Sequence, residues 1–180
     1  MNDSVTQLTS IEALQDFLQS MAQLPGELPG LSELDHGLQC AAELKASAPH
    51  DIELQIAGLV HDISHGRCHI RDHGDVGGAV VRQLLGDRVA TLVRLHVAAK
   101  RYLITCDASY LSRLSPVSIR TFELQGGLMT AGELERFAAD PCRDAAILLR
   151  NADDAAKSPG RVVPGLHSWH DALRHVAARS

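Results

Sequence analysis

Aromatic side chains are scarce in this 180-residue chain: one Trp, two Tyr and three Phe, 3% in all. With 45% hydrophobic residues and so few rings, the core must be aliphatic, and an Ala, Leu, Val and Ile mixture favours packed helices over sheets. Cysteine is equally unhelpful as a staple. Cys40, Cys68, Cys106 and Cys142 are scattered and include no Cys-x-x-Cys pair, which excludes a zinc knuckle and a secreted disulfide framework. No basic run with interleaved aromatics occurs, and a net charge of −5 argues against a nucleic-acid surface. No uninterrupted apolar run reaches the ~20 residues of a membrane span. Met1-Asn2-Asp3-Ser4 lacks the cationic stretch that opens an export signal. A soluble, reducing, cytoplasmic setting follows as the expectation.

What is present is aliphatic periodicity at helical spacing, and the pattern predicts one all-α domain over 1–180. Ser10 is a plausible N-cap for a first helix carrying Leu14, Phe17, Leu18 and Met21. The Pro- and Gly-rich stretch 24–30 is a loop. A second helix begins near Ser32 and runs to about Lys45, and a third is capped by Asp51 with Leu54, Ala57, Gly58 and His61 on one face. A fourth helix from about His73 to Leu85 and a fifth from about Arg88 to Leu103 are separated by Gly86-Asp87. Ser115-Pro116 opens a short helix through Leu124, and Thr130 with Glu133 has capping-box spacing. Asp140-Pro141 opens the helix that carries Arg150 and Asp153, and a last helix spans about Gly165 to Ala178.

One run stands out chemically: Val60-His61-Asp62-Ile63-Ser64-His65, at the end of an apolar helix. A single His on an apolar face is more often a hydrogen-bonded core residue than a ligand, and His50, His167, His170 and His175 suit surface or capping roles. The His-Asp pair differs because an ionised Asp is expensive to bury without a partner. A metal satisfies both side chains at once, and a carboxylate with two oxygens can bridge two ions. His36, His61, Asp62 and Asp153 form one such candidate set, and His73 and His96 supply what a second ion would need from a shared Asp62.

This pattern resembles the HD-domain superfamily of helical metalloproteins, in which many members are phosphohydrolases. Asp72-His73-Gly74-Asp75-Val76-Gly77-Gly78 and His96-Val97-Ala98-Ala99-Lys100-Arg101-Tyr102-Leu103 sharpen the likeness. With Leu114-Ser115-Pro116-Val117-Ser118 and Leu124-Gln125-Gly126-Gly127-Leu128-Met129, they are similar to the HD proteins of organophosphonate degradation. Those are similar to mixed-valence di-iron oxygenases that split 1-hydroxyphosphonates, and distantly to myo-inositol oxygenase. The likeness runs over about 32–157.

The resemblance implies an HD-domain helical bundle holding two irons, Fe(II) and Fe(III), with O2 as co-substrate. His36, His61, Asp62 and Asp153 would hold one iron and His73 and His96 the other, with Asp62 bridging. His65 and Lys100 would act in catalysis and, with Ser118, Thr121 and Arg150, would bind the substrate. That substrate is a small organophosphonate, cleaved at its carbon–phosphorus bond to phosphate and a carboxylic acid. Cations and hydroxyls suit phosphonate oxygens on physical grounds too, although a solvated helix face accounts equally well for Lys100 and Arg150. The alternative is an HD phosphohydrolase acting on a phosphate ester or nucleotide through metal-bound hydroxide. A non-catalytic sensor would need a degraded ligand set, and the set here is intact. Where related oxygenases carry a lid Tyr and an amine-reading Glu, this chain has Gly26 and Pro29, with Glu27 nearby. His69 is the rival of His73 as a ligand.

Overall fold

The computed structural model describes residues 8–179, so the tetrapeptide 1–4 read above lies outside the described residues. The described chain is helical, as the aliphatic composition predicts, and its β content is one isolated bridge, Pro25 with Ser32. Local chemistry sets where most helices start. The Ser10 hydroxyl accepts the Ala13 N–H to open α1 (Ile11–Ser20), and Ser32 and Asp35 form a capping box on α2 (Glu33–Ser47). Asp51 accepts the Leu54 N–H to open α3 (Ile52–Val60).

Beyond α4 (His73–Cys106), α5 (Pro116–Leu124) begins at a proline, whose missing N–H costs nothing in a first turn. Thr130 and Glu133 box the start of α6 (Ala131–Ala138). Then come α7 (Arg143–Ala155) and α8 (His170–Ala177).

The two helices expected on either side of Gly86-Asp87 are present as the two arms of α4, the second running on to Cys106, and they fold back on one another across Gly86. Gly86 sits at φ 82°, ψ 171°, a conformation that a side chain would oppose. The arms 73–85 and 87–106 then lie so close that a Cβ on Gly78 would stand 2.7 Å from the Ala90 carbonyl oxygen. Three further boundaries differ from expectation. The third helix ends at Val60, leaving His61-Asp62 in a run of tight turns in which the Ile63 N–H bonds the Val60 carbonyl. The helix expected from Asp140 starts at Arg143, because Asp140 and Pro141 form the turn before it. The last helix opens as a 3₁₀ turn over Leu166–Trp169 before α8, and further 3₁₀ turns span Met21–Gln23 and Ala108–Arg113.

α2 packs chiefly on α3, and α4 on α7, with α8 closing over α3 and α4. Between them lies an aliphatic core that includes Leu44, Leu54, Ile56, Leu92 and Leu149, all essentially without solvent exposure. A smaller cluster of Ile104, Tyr110, Leu114 and Phe122 sits beneath α5. Among the described residues no helix is long and apolar enough to cross a membrane.

Candidate metal centre

Four imidazoles meet where α2, α3, α4 and α7 converge. His36 comes from α2, His61 from just past α3, and His73 and His96 from the two arms of α4. All four are buried. The sequence allows the approach at two close contacts: a Cβ on Gly37 would stand 2.5 Å from the Leu59 carbonyl oxygen, and Gly78 lets the α4 arms close.

The orientation of each ring is fixed from behind. The Nδ1 of His36 donates to Ala156 O (2.9 Å), of His61 to Gly58 O (2.8 Å), of His73 to Ile70 O (2.6 Å) and of His96 to Val93 O (2.6 Å). A carbonyl can only accept, so each neutral ring keeps its lone pair on Nε2. Those Nε2 atoms face each other in pairs, His36 to His61 at 3.2 Å and His73 to His96 at 2.9 Å. Burial pushes the pKa of His73 down, and burial with neighbouring His73 pushes that of His96 well down. Two buried lone pairs therefore point into one space, which is the arrangement a metal cation satisfies.

The carboxylates complete two clusters. Asp62 divides its oxygens: Oδ2 lies 3.2 Å from His61 Nε2 and 3.6 Å from His36 Nε2, whereas Oδ1 lies 3.5 Å from His73 Nε2 and 3.6 Å from His96 Nε2. Asp153 Oδ1 stands 3.1 Å from His36 Nε2 and 3.8 Å from His61 Nε2. Among the described residues three groups have metal-ligating spacing: the buried sets His36–His61–Asp153 and Asp62–His73–His96, each of which could hold a cation, and the less buried Glu33–Asp62–His65. Burial alone would raise the Asp153 pKa, but the Arg150 guanidinium and the His36 hydrogen bond hold it well below the usual range. Asp154, next in sequence, is used differently. It takes Arg150 Nε (3.1 Å) and Nη2 and the Tyr110 hydroxyl, while Arg150 Nη1 donates to Asp153 Oδ2 at 2.6 Å.

A cavity of about 340 Å³ opens in front of the clusters. On its walls are His65, Lys100, Ser118, Thr121 and Arg150, the five residues expected at a substrate site. Lys100 Nζ donates to Thr121 Oγ1 at 2.9 Å, and burial with the neighbouring Arg150 charge lowers its pKa to about 7. His65 sits between two carboxylates, Nδ1 3.1 Å from Glu33 Oε2 and Nε2 3.2 Å from Asp62 Oδ1. Arg150 is largely occupied by Asp153 and Asp154. Ser118 Oγ receives Lys157 Nζ at 2.7 Å, and Lys157 also pairs with Glu27 at 2.6 Å.

His69, the rival of His73, is exposed and accepts the Arg71 N–H, away from both clusters. Four participants escaped the sequence reading. Glu33 precedes His36 by three residues on α2, a spacing that puts the two on one helix side, and Lys157 lies just past the end of α7, four residues after Asp153. Tyr110 and the wall residue Gln125, whose Oε1 is buried without a partner, carry no such local signal.

The fold and site define a helical metalloprotein with two adjoining His–carboxylate clusters behind a cation-lined cavity. No protein-family model matches the chain. It is 37% identical over 170 residues to hydroxymethylphosphonate dioxygenase of Gimesia maris, covering 88% of this chain and 82% of that protein. It is 33% identical over 146 residues to [1-hydroxy-2-(trimethylamino)ethyl]phosphonate dioxygenase (glycine-betaine-forming) of Leisingera caerulea, covering 76% and 73% respectively. The chain belongs to this family of HD-type phosphonate dioxygenases.

Proposed function

We propose that the chain is a single HD-type domain working as a di-iron dioxygenase that cleaves the carbon–phosphorus bond of a 1-hydroxyphosphonate. The observation that carries this reading is the divided Asp62 carboxylate, one oxygen toward each His cluster. The names of the two relatives supply the reaction class. His36, His61 and Asp153 would hold one iron, His73 and His96 the other, and Asp62 would bridge them. Ligation by imidazole and carboxylate suits iron. When bound, the mixed-valence pair would supply the redox chemistry that activates dioxygen.

The remaining work falls to this chain's own residues. Lys100, with Thr121 and Ser118, would bind the phosphonate oxygens through a cation and hydroxyls. Arg150 would hold Asp153 and Asp154 and lend the phosphonate only its remaining N–H groups. Glu33 would keep His65 turned toward the hydroxyl-bearing carbon of the substrate. The balance closes without an outside reductant: a C–P and a C–H bond are lost, and both oxygen atoms of O2 appear in phosphate and a carboxylic acid. The unpaired cysteines support a reducing, cytoplasmic setting for this chemistry.

The test is iron content of anaerobically purified protein together with O2 uptake and phosphate release on hydroxymethylphosphonate. Two irons per chain and phosphate release that stops without O2 are expected. Phosphate release from a phosphate ester or nucleotide without O2, with none from hydroxymethylphosphonate in air, would replace this reading with a metal-dependent phosphohydrolase.

A further inference from the structure

The two dioxygenase relatives differ, by name, in what hangs from the hydroxyl-bearing carbon: only hydrogen in one substrate, a CH2 group bearing trimethylammonium in the other. The cavity wall bears on that difference. Among the described residues four carboxylates line it, and every one is engaged. Asp62 and Asp153 belong to the His clusters, and Glu33 is taken by His65. Glu27, from the loop before α2, is taken by Lys157 at 2.6 Å, with Ser118 Oγ at 3.4 Å from both its oxygens. The Lys157 and Glu27 side chains are only 11% and 17% exposed, so water would compensate poorly if the pair were split. Nor does any Phe, Tyr or Trp line the cavity, and a quaternary ammonium therefore finds no aromatic face. The protein itself supplies the cation that Glu27 holds.

Building on the dioxygenase reading above, we infer that the Glu27–Lys157 ion pair is the specificity determinant of this site. It selects 1-hydroxyphosphonates with a small, uncharged substituent and rejects those bearing an ammonium. A cationic substituent would have to displace Lys157 from Glu27, its carboxylate at 2.6 Å, and leave it with Ser118 and the more distant Asp153 and Asp154, each at 3.9 Å. The mouth beside the pair is formed by Pro25, Gly26 and Val117, which offer apolar and backbone surface.

The experiment compares three compounds on the iron-loaded protein: hydroxymethylphosphonate, 1-hydroxy-2-(trimethylamino)ethylphosphonate, and its neutral carbon isostere 1-hydroxy-3,3-dimethylbutylphosphonate. Calorimetric binding and kcat/KM are both read. The isostere separates size from charge. Wild type should prefer hydroxymethylphosphonate to the cationic compound by about 100-fold or more, and should bind the isostere better than the cation. Lys157→Met frees the Glu27 carboxylate and should narrow the cation's disadvantage against the isostere by about 10-fold, whereas Lys157→Arg should keep it. Glu27→Gln in the Lys157→Met background should remove the gain.

Wild-type preference for the cation over its isostere overturns the inference, and so does an unchanged ratio in a folded Lys157→Met protein. If Lys157→Met fails to fold, the wild-type and Lys157→Arg ratios still decide. Absence of O2-dependent phosphate release from all three compounds counts against the dioxygenase reading instead, and the calorimetric ratios then test the ion pair alone.

Discussion

The inner and outer walls of the cavity are built on different principles. On the inner wall each ligating imidazole is held by a backbone carbonyl three residues before it or, for His36, by Ala156 across the fold. None of these rings can turn without giving up a buried hydrogen bond to the backbone. On the outer wall side chains hold side chains: Lys100 on Thr121, Lys157 on Glu27 and Ser118, His65 on Glu33. Such contacts can exchange with ligand groups. The difference teaches that the inner wall fixes its rings through the backbone, whereas the outer wall is set by a few side chains that single substitutions can change.

Removing His96 should break the inner wall outright. His96→Ala leaves His73 and one oxygen of Asp62 to hold the second metal, so bound metal should fall from two to one per chain and O2-dependent turnover by about 1,000-fold or more. A folded, fully active variant would refute the two-metal scheme.

Lys100→Met acts on the outer wall and should lower kcat/KM by about 100-fold while metal content stays at wild-type level. It also carries a pH signature. The folded-state pKa of Lys100, about 7, lies below its usual value of 10.5, so between these values the unfolded chain binds a proton that the folded chain does not. Stability of the metal-free protein should therefore rise with pH across that window relative to Lys100→Met, and be level below pH 7. Urea unfolding at several pH values reads the difference, and a falling or flat difference would contradict the assigned shift.

Glu33→Gln should be milder, about 10-fold in kcat/KM, because His65 loses an orienting carboxylate but stays beside Asp62. Smallest of all should be Arg88→Ala, which removes the fork on Asp51 at the start of α3, far from either wall. The pair is about one-third exposed, and its loss should cost about 1 kcal/mol or less in thermal unfolding without altering metal content.

Much of this arrangement was legible because it is local. Ser10, Ser32, Asp51, Ser115 and Thr130 cap helices where hydroxyls or carboxylates precede aliphatic periodicity. The range expected for α5, opened at Pro116 and stopped after Leu124, coincides with the observed one because proline and the following glycines act within a turn. Gly86 announced a break but not its consequence. The glycine separates the two helices as expected, but how closely they fold back on one another depends on what the arms meet, here Gly78 against Ala90. The six metal-site candidates were chosen by residue type and resemblance. The division of the Asp62 oxygens, the separate employment of Asp154, and the partners Tyr110, Gln125 and Lys157 were not readable, while Glu33 left only its three-residue spacing from His36 as a signal.

The sequence by itself determined an aliphatic, aromatic-poor helical chain with His and Asp at the ends of its apolar stretches. Composition and short-range periodicity are properties each segment carries alone. Only the tertiary structure decided which imidazoles face each other, which carboxylate stands between them, and that the remaining carboxylates of the cavity are already paired. Those facts depend on contacts between residues distant in sequence, such as His36 with Ala156 and Glu27 with Lys157. Packing creates such contacts, and no local pattern encodes them.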